Sequence, residues 1–223
     1  MNEFNKAAAT PRHFGLAIKQ ERGRITYDAL IEAGFTLLEE RDLQDISIAE
    51  LAKEAGYSVG AFYARFRSKD EFFNALVHRH LDFRTTVQVQ IFSTLPLATL
   101  LPSMMHNIVN YYWEHRKFWR AVLMRSVRDP DSYLPMRAHR QEATERFINR
   151  VELEATRLLS AEERANIAFA FQVILGTIDS TIINEPGPVP MNQAQFIDGL
   201  TRTFALVSNF DKLVGPEPSA PSA

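Results

Sequence analysis

The sequence predicts an all-α chain, and three observations carry that prediction. Three helix-start signals, with stops between them, fall within residues 47–71. Residues 104–128 and 136–183 carry apolar side chains at helical spacing, or nearly throughout. No stretch alternates apolar and polar residues as a half-buried strand does, and there is no internal repeat and no Gly-rich phosphate loop. The expected organisation is an N-terminal three-helix head over 23–70 and a larger helical body over 71–211.

Residues 1–22 combine an Ala-rich start and Pro11 with Lys6, Arg12, Lys19 and Arg22. They read as a flexible basic arm, or as an extension reaching a groove or phosphate. Thr26 is a candidate cap for a first helix running to about Arg41. Ser47 followed by Glu50 is a capping box opening the next helix, which has Ile48, Leu51 and Ala52 as its apolar stripe. Gly56 supplies the positive φ of a helix end. Ser58 is the cap of a third helix, with Phe62 as its apolar anchor. Ser68 and Glu71 form another capping box. Two short helices joined by a tight turn, the second carrying small residues and then Tyr63 and Arg65, have the layout of a helix-turn-helix.

The body continues with a helix from about Lys69 to Phe92, around which Pro96 and Pro102 are expected to break the chain. Met104–His115 and Lys117–Arg128 read as two more helices, the second stopped by Asp129-Pro130-Asp131. Met136 to about Leu159 is long, amphipathic and charged. Ser160 and Glu163 cap a nearly all-apolar helix over Ala165–Ile183. Residues 184–190 are a loop, and Asn192–Asn209 a final helix. Residues 212–223, rich in Pro, Ser and Ala, read as a disordered tail.

At 223 residues the chain is long enough for two modest domains with real cores. It contains no cysteine, so thiol chemistry drops out. No apolar run reaches the ~20 residues that span a bilayer, no membrane partner is implied, and the first residues lack the form of an export signal. A cytoplasmic protein fits these observations. The net charge of −2 is not that of a nucleic-acid binder by bulk, but a recognition surface needs only local positive charge. Arg22 and Arg24 precede the first helix, while Arg65, Arg67 and Lys69 gather around the end of the third.

The segments Ile48–Ala52, Ala55–Ser58, Gly60–Tyr63 and Phe66–Glu71 resemble the DNA-binding domain of the TetR family of bacterial transcriptional regulators. Leu30, Ala33, Gly34, Leu37 and Leu38 fall where that family packs its first helix. The resemblance covers roughly residues 24–76. It implies a homodimer that binds a double-stranded DNA operator and answers to a small-molecule effector, most commonly as a repressor, with no cofactor. It also implies phosphate contacts by Tyr63 and Lys69. Arg65 stands where the family often has histidine. Tyr27 stands where it often has arginine, leaving that contact to Arg22 or Arg24. Asp42 stands at a usual glycine, where a left-handed helix end is expected.

By chemistry, Ser47 and Ser58 put helix N-termini where a phosphate oxygen can dock. Gly60 and Ala61 let the recognition helix approach the groove closely, and Ala61 can meet a thymine methyl. Val59 is divided between core and thymine contact. Few long side chains project from this helix, which points to modest direct readout and some reading of DNA shape.

Two regions of the body stand out. Phe169, Val173, Gly176, Ile178 and Ile182, with Phe196, Leu200 and Phe204, suit the four-helix dimer interface that the resemblance implies, or an internal core. Met104, Tyr111, Tyr112, Trp113, His115 and Trp119 form an aromatic and thioether cluster, either plain core or the lining of an effector pocket. Gln172 and Asp179 are assigned to that pocket, with the dimer seam as the alternative. Such a lining suggests a small, mainly apolar effector. No catalytic or metal-ligating set is expected, since His78 and His80 lie on different helix faces and His106 and His115 are far apart. The alternative to a regulator is a ligand-binding or interaction module whose DNA head does not function.

Overall fold

A computed structural model describes residues 12–184 and 187–214, all helix and connecting turn, in two compact units, Met1–Leu76 and Val77–Ala223. The head thus ends later than the expected residue 70.

In the head, α1 (Arg12–Glu40) is a single long helix. The arm expected over 1–22 is therefore helical from Arg12, and residues 1–11 lie outside the described residues. Thr26 is not a cap; its hydroxyl donates to the Arg22 carbonyl inside the helix, at 2.9 Å. Asp42 is extended (φ −72°, ψ 146°) and not left-handed, because a 3₁₀ turn over Leu43–Asp45 redirects the chain instead. The next two helices, α2 (Ile48–Glu54) and α3 (Val59–Tyr63), are separated by Gly56 at φ +76°. Lys69–Thr94 forms α4, whose first two turns belong to the head.

Phenylalanines hold the head together. Phe62, Phe66 and Phe72 pack with ring centroids 5.0–5.5 Å apart, and all are buried with Leu30, Leu38 and Leu51. Gly34 sits over this cluster. A Cβ there would lie 2.6 Å from Phe72 Cζ, so the close approach requires glycine.

The body contains the rest of α4 with α5 (Leu97–Glu114), α6 (Arg116–Arg128), α7 (Leu134–Ala155), α8 (Ala161–Asn184), α9 (Ala194–Ser208) and α10 (Phe210–Val214). Pro96 separates α4 from α5 as expected, but Pro102 lies inside α5. It sits on the exposed side of the second turn, while Leu100, Leu101, Met104, Met105 and Ile108 are buried and keep the helix continuous. Ser160 and Glu163 make the expected reciprocal cap of α8 (2.7 and 3.2 Å). Phe147, Phe171, Phe204 and Phe210 form a second aromatic core among α7–α10. The first residues of the expected tail are helical in α10, and residues 215–223 lie outside the described residues. Two helices end on left-handed residues other than glycine, α7 at Thr156 and α9 at Asn209, both at φ 53°.

Contrary to the sequence expectation, one helix, α8, is long and apolar enough to cross a membrane by length and composition. Ile167, Ala170, Phe171, Ile174, Ile178 and Ile182 bury one of its faces within the body.

Candidate functional site

The head presents α3 as a short, firmly held rod. The Ser58 hydroxyl accepts from the Ala61 amide at 3.2 Å, and Phe62 anchors the inner side with no exposure. The outer side carries Val59, Gly60 and Tyr63, and Tyr63 is 54% exposed. Val59 is therefore a surface residue. Ahead of α3, the Ser47 hydroxyl accepts from the Glu50 amide (3.2 Å) and Glu50 accepts from the Ser47 amide (2.8 Å). The Arg41 guanidinium donates to the same carboxylate at 2.7 Å. That bond first, and the Ser47 bonds next, hold the Glu50 pKa down to about 2. At the start of α4 the Ser68 hydroxyl accepts from the Glu71 amide, while the Glu71 carboxylate takes the Arg67 amide and not that of Ser68.

Two of the expected DNA contacts are already engaged. Arg65 donates Nε–H to the Gly23 carbonyl at 3.1 Å, tying the end of α3 to α1. Arg24 pairs with Glu21 at 2.8 Å on an exposed stretch of α1. Lys69 is half-buried, and desolvation holds its pKa below the usual lysine value. Ser47, Ser58, Gly60, Tyr63 and Arg65 are exposed, and Ala61 is partly so.

In the body, α4, α5, α6, α7 and α8 enclose a cavity of about 30 Å³, room for a water or two. Tyr112 and Trp119, expected in a pocket, line it, but three basic side chains that the sequence did not single out line it as well: Arg84, His139 and Arg140. Arg140 donates through both terminal nitrogens to Asp179 (2.8 Å each) and to the Tyr112 hydroxyl (3.2 Å). Burial works to lower its pKa, but Tyr112 and Asp179 outweigh it and the net direction is up. Arg84 is only 4% exposed. It donates to Asn107 Oδ1 at 2.8 Å and lies 4.2 Å above the Tyr111 ring. Desolvation lowers its pKa. Burial, then Arg146, Arg84 and Arg140, push His139 down to about 4, so its ring is neutral at pH 7. Arg84 also lines an open groove of about 790 Å³ between α4 and α5, with Phe83, Val87, Tyr111 and His115.

The remaining pocket assignments change. Gln172 is exposed on the outer side of α8, and Trp113 stacks under Arg116 at 4.5 Å. Met104 is core. Asp179 acts through Arg140 and does not line the cavity itself.

Known proteins bear on this arrangement in two ways. Residues 30–76 match the family model described as bacterial regulatory proteins, tetR family. The HTH-type transcriptional regulator YwcC of Bacillus subtilis is 38% identical over 60 residues, which is 27% of each chain. The head thus carries the segment that marks the tetR family of bacterial regulatory proteins. The likeness of fold extends well past the head. A tetR-family regulator from Streptomyces coelicolor superposes with a TM-score of 0.63 at 19% identity, covering 84% of this chain and 88% of that one. A transcriptional regulator from Cytophaga hutchinsonii gives 0.65 at 14% identity, covering 83% and 96%. At those identities the likeness is one of fold.

In the body, the residues expected at a dimer interface or an internal core divide between the two environments. Ile178, Ile182, Phe196, Leu200 and Phe204 are buried within the single chain, on the internal-core side of that alternative. A helix apolar on most sides does not reveal which side is internal. The outer side of α8 carries Phe169 (56% exposed), Gln172, Val173, Gly176, Thr177 and Ser180 along a shallow groove. On α9, Leu206 is 78% exposed.

Proposed function

We propose that the chain is a dimeric, sequence-specific DNA-binding transcriptional regulator, a repressor released from its operator by a small effector held in the body. The observation that carries this reading is the α2–α3 pair. Its caps and phenylalanine anchors fix α3 with Gly60 and Tyr63 outward, in a segment that matches a family of bacterial regulators. The apolar and small residues along α8 support a dimer, and two half-sites multiply the weak binding of one short recognition helix. The cavity at Tyr112 and Trp119 supports an effector site. The effector would act by binding the DNA-incompetent form more tightly, with α4 continuing from the head into the body as the coupling element. The working compartment is the cytoplasm.

The test is capture of fragmented genomic DNA by the purified protein, with sequencing of what is retained and Tyr63→Ala/Lys69→Ala as control. A short, roughly palindromic site enriched by the wild type alone is the expected result. Equal retention by both proteins would remove the DNA-reading role from α3.

A further inference from the structure

The polar groups on the largely apolar wall of the body cavity are mostly donors, and they are incompletely matched. Arg84 is 96% buried, and its one hydrogen-bond partner is the neutral amide oxygen of Asn107; no carboxylate pairs with it among the described residues. Arginine does not shed its proton, so this charge stays where it is. Arg140 on the same wall shows what a satisfied arginine looks like here, since Asp179 grips it with both oxygens. Two more donors of lining residues, Trp119 Nε1 and Arg140 Nε, are buried without a hydrogen-bond partner. His139, the remaining basic group on this wall, is neutral at pH 7. The wall therefore holds one uncompensated positive charge and two idle donors, set among Leu81, Ile108, Phe171 and Leu175. An unpaired buried charge is expensive, and an anion that shares the site offsets much of that expense.

We infer that the effector is an organic acid, a carboxylate on an apolar frame, whose carboxylate is held by the Arg84 guanidinium. This rests on the reading of the body cavity as the effector site. Arg84 lies on the wall shared by the closed cavity and the open α4–α5 groove, so an acid in the groove reaches the guanidinium first. The apolar remainder then enters as the cavity widens from its present size. Carboxylate geometry matches the forked donors of arginine, and the apolar surroundings favour a lipophilic acid over inorganic anions.

Calorimetric titration of the full chain with decanoate and 1-naphthoate, beside decanamide and 1-naphthamide, tests this. Inorganic phosphate serves as the anion without a frame. The acids are expected to bind at least tenfold more tightly than their amides. Arg84→Met should remove that preference, while Arg84→Lys keeps part of it. Asn107→Asp supplies an internal carboxylate to Arg84, so it should also abolish acid preference and raise the melting temperature. That arm decides the matter if Arg84→Met fails to fold. Equal affinity for acids and amides in the wild type would overturn the assignment of charge and leave the cavity as an apolar effector site. Phosphate binding as tightly as the acids would overturn the apolar frame. Binding by none of the probes would overturn the effector site itself, and this inference with it.

Discussion

Arg65 reaches back 42 residues to donate to the Gly23 carbonyl, so the turn that follows the recognition helix is pinned to the first helix of the head. Its guanidinium is thereby committed in part to structure. Arg65→Ala should lower stability by about 1 kcal/mol, the usual scale of one hydrogen bond. It should weaken DNA binding less than Tyr63→Ala does. Urea denaturation and a fluorescence-anisotropy titration check the two halves. A larger DNA defect at Arg65 than at Tyr63 would return Arg65 to the phosphate contacts.

Tyr63 and Phe62 are neighbours with opposite environments. Tyr63→Ala should leave stability within about 0.5 kcal/mol and reduce affinity for all DNA sequences about equally. Phe62→Ala should cost about 3–5 kcal/mol, because the ring is wholly buried against Phe66 and Phe72. Thermal melts and competition binding separate the two.

Gly34 and Gly176 make a matched pair. Both are helical, but a Cβ at Gly34 would press on Phe72 and Leu76, whereas one at Gly176 meets nothing within 4 Å. Gly34→Ala should destabilise by about 1–3 kcal/mol through overpacking, despite alanine's better helix propensity. Gly176→Ala should stabilise the single chain by up to about 1 kcal/mol. If the outer side of α8 pairs with a second copy, the same change should weaken the dimer in sedimentation equilibrium. An unaltered dimer would place the interface elsewhere.

His139 sets a pH dependence. Its folded pKa, pushed down to about 4, lies below the ordinary 6.5. The unfolded chain therefore binds the proton more readily. The stability that this histidine contributes is complete above pH 6.5 and is lost as pH falls from there towards 4. His139→Gln should flatten the fall by up to one proton, about 1.4 kcal/mol per pH unit at the steepest point. Chemical denaturation at stepped pH reads this directly, and an unchanged slope would show that His139 is not neutral when folded. His80, pushed down to about 3 mainly by burial, extends the same trend to lower pH in both proteins.

What could be read from the sequence was what local spacing decides. Ser47, Ser58 and Ser160 bond to amides three residues on, so their roles are visible in a window of four residues. The head and its outward Tyr63 followed from that. The effector wall did not, because Arg84, His139 and Arg140 come from α4 and α7 and meet only once the body has packed. Any one of them alone looks like a solvated surface residue. The α8 residues divided between core and surface for a related reason. Phe169 and Ile178 are equally apolar, and only the position of α9 and the aromatic core decides that Ile178 is inside. Pro102 does not break α5, because it removes only one backbone donor and its buried neighbours keep the helix continuous.

Thr156, finally, holds a backbone conformation that β-branched residues resist, and α7 ends there all the same. Strain of this kind is spare capacity. Thr156→Gly, and to a lesser degree Asn209→Gly, would relax two helix ends remote in sequence from the recognition helix and from every cavity-lining residue. A hardened version of the protein is thus within reach of two substitutions, a practical footing for capturing its complexes with DNA and effector.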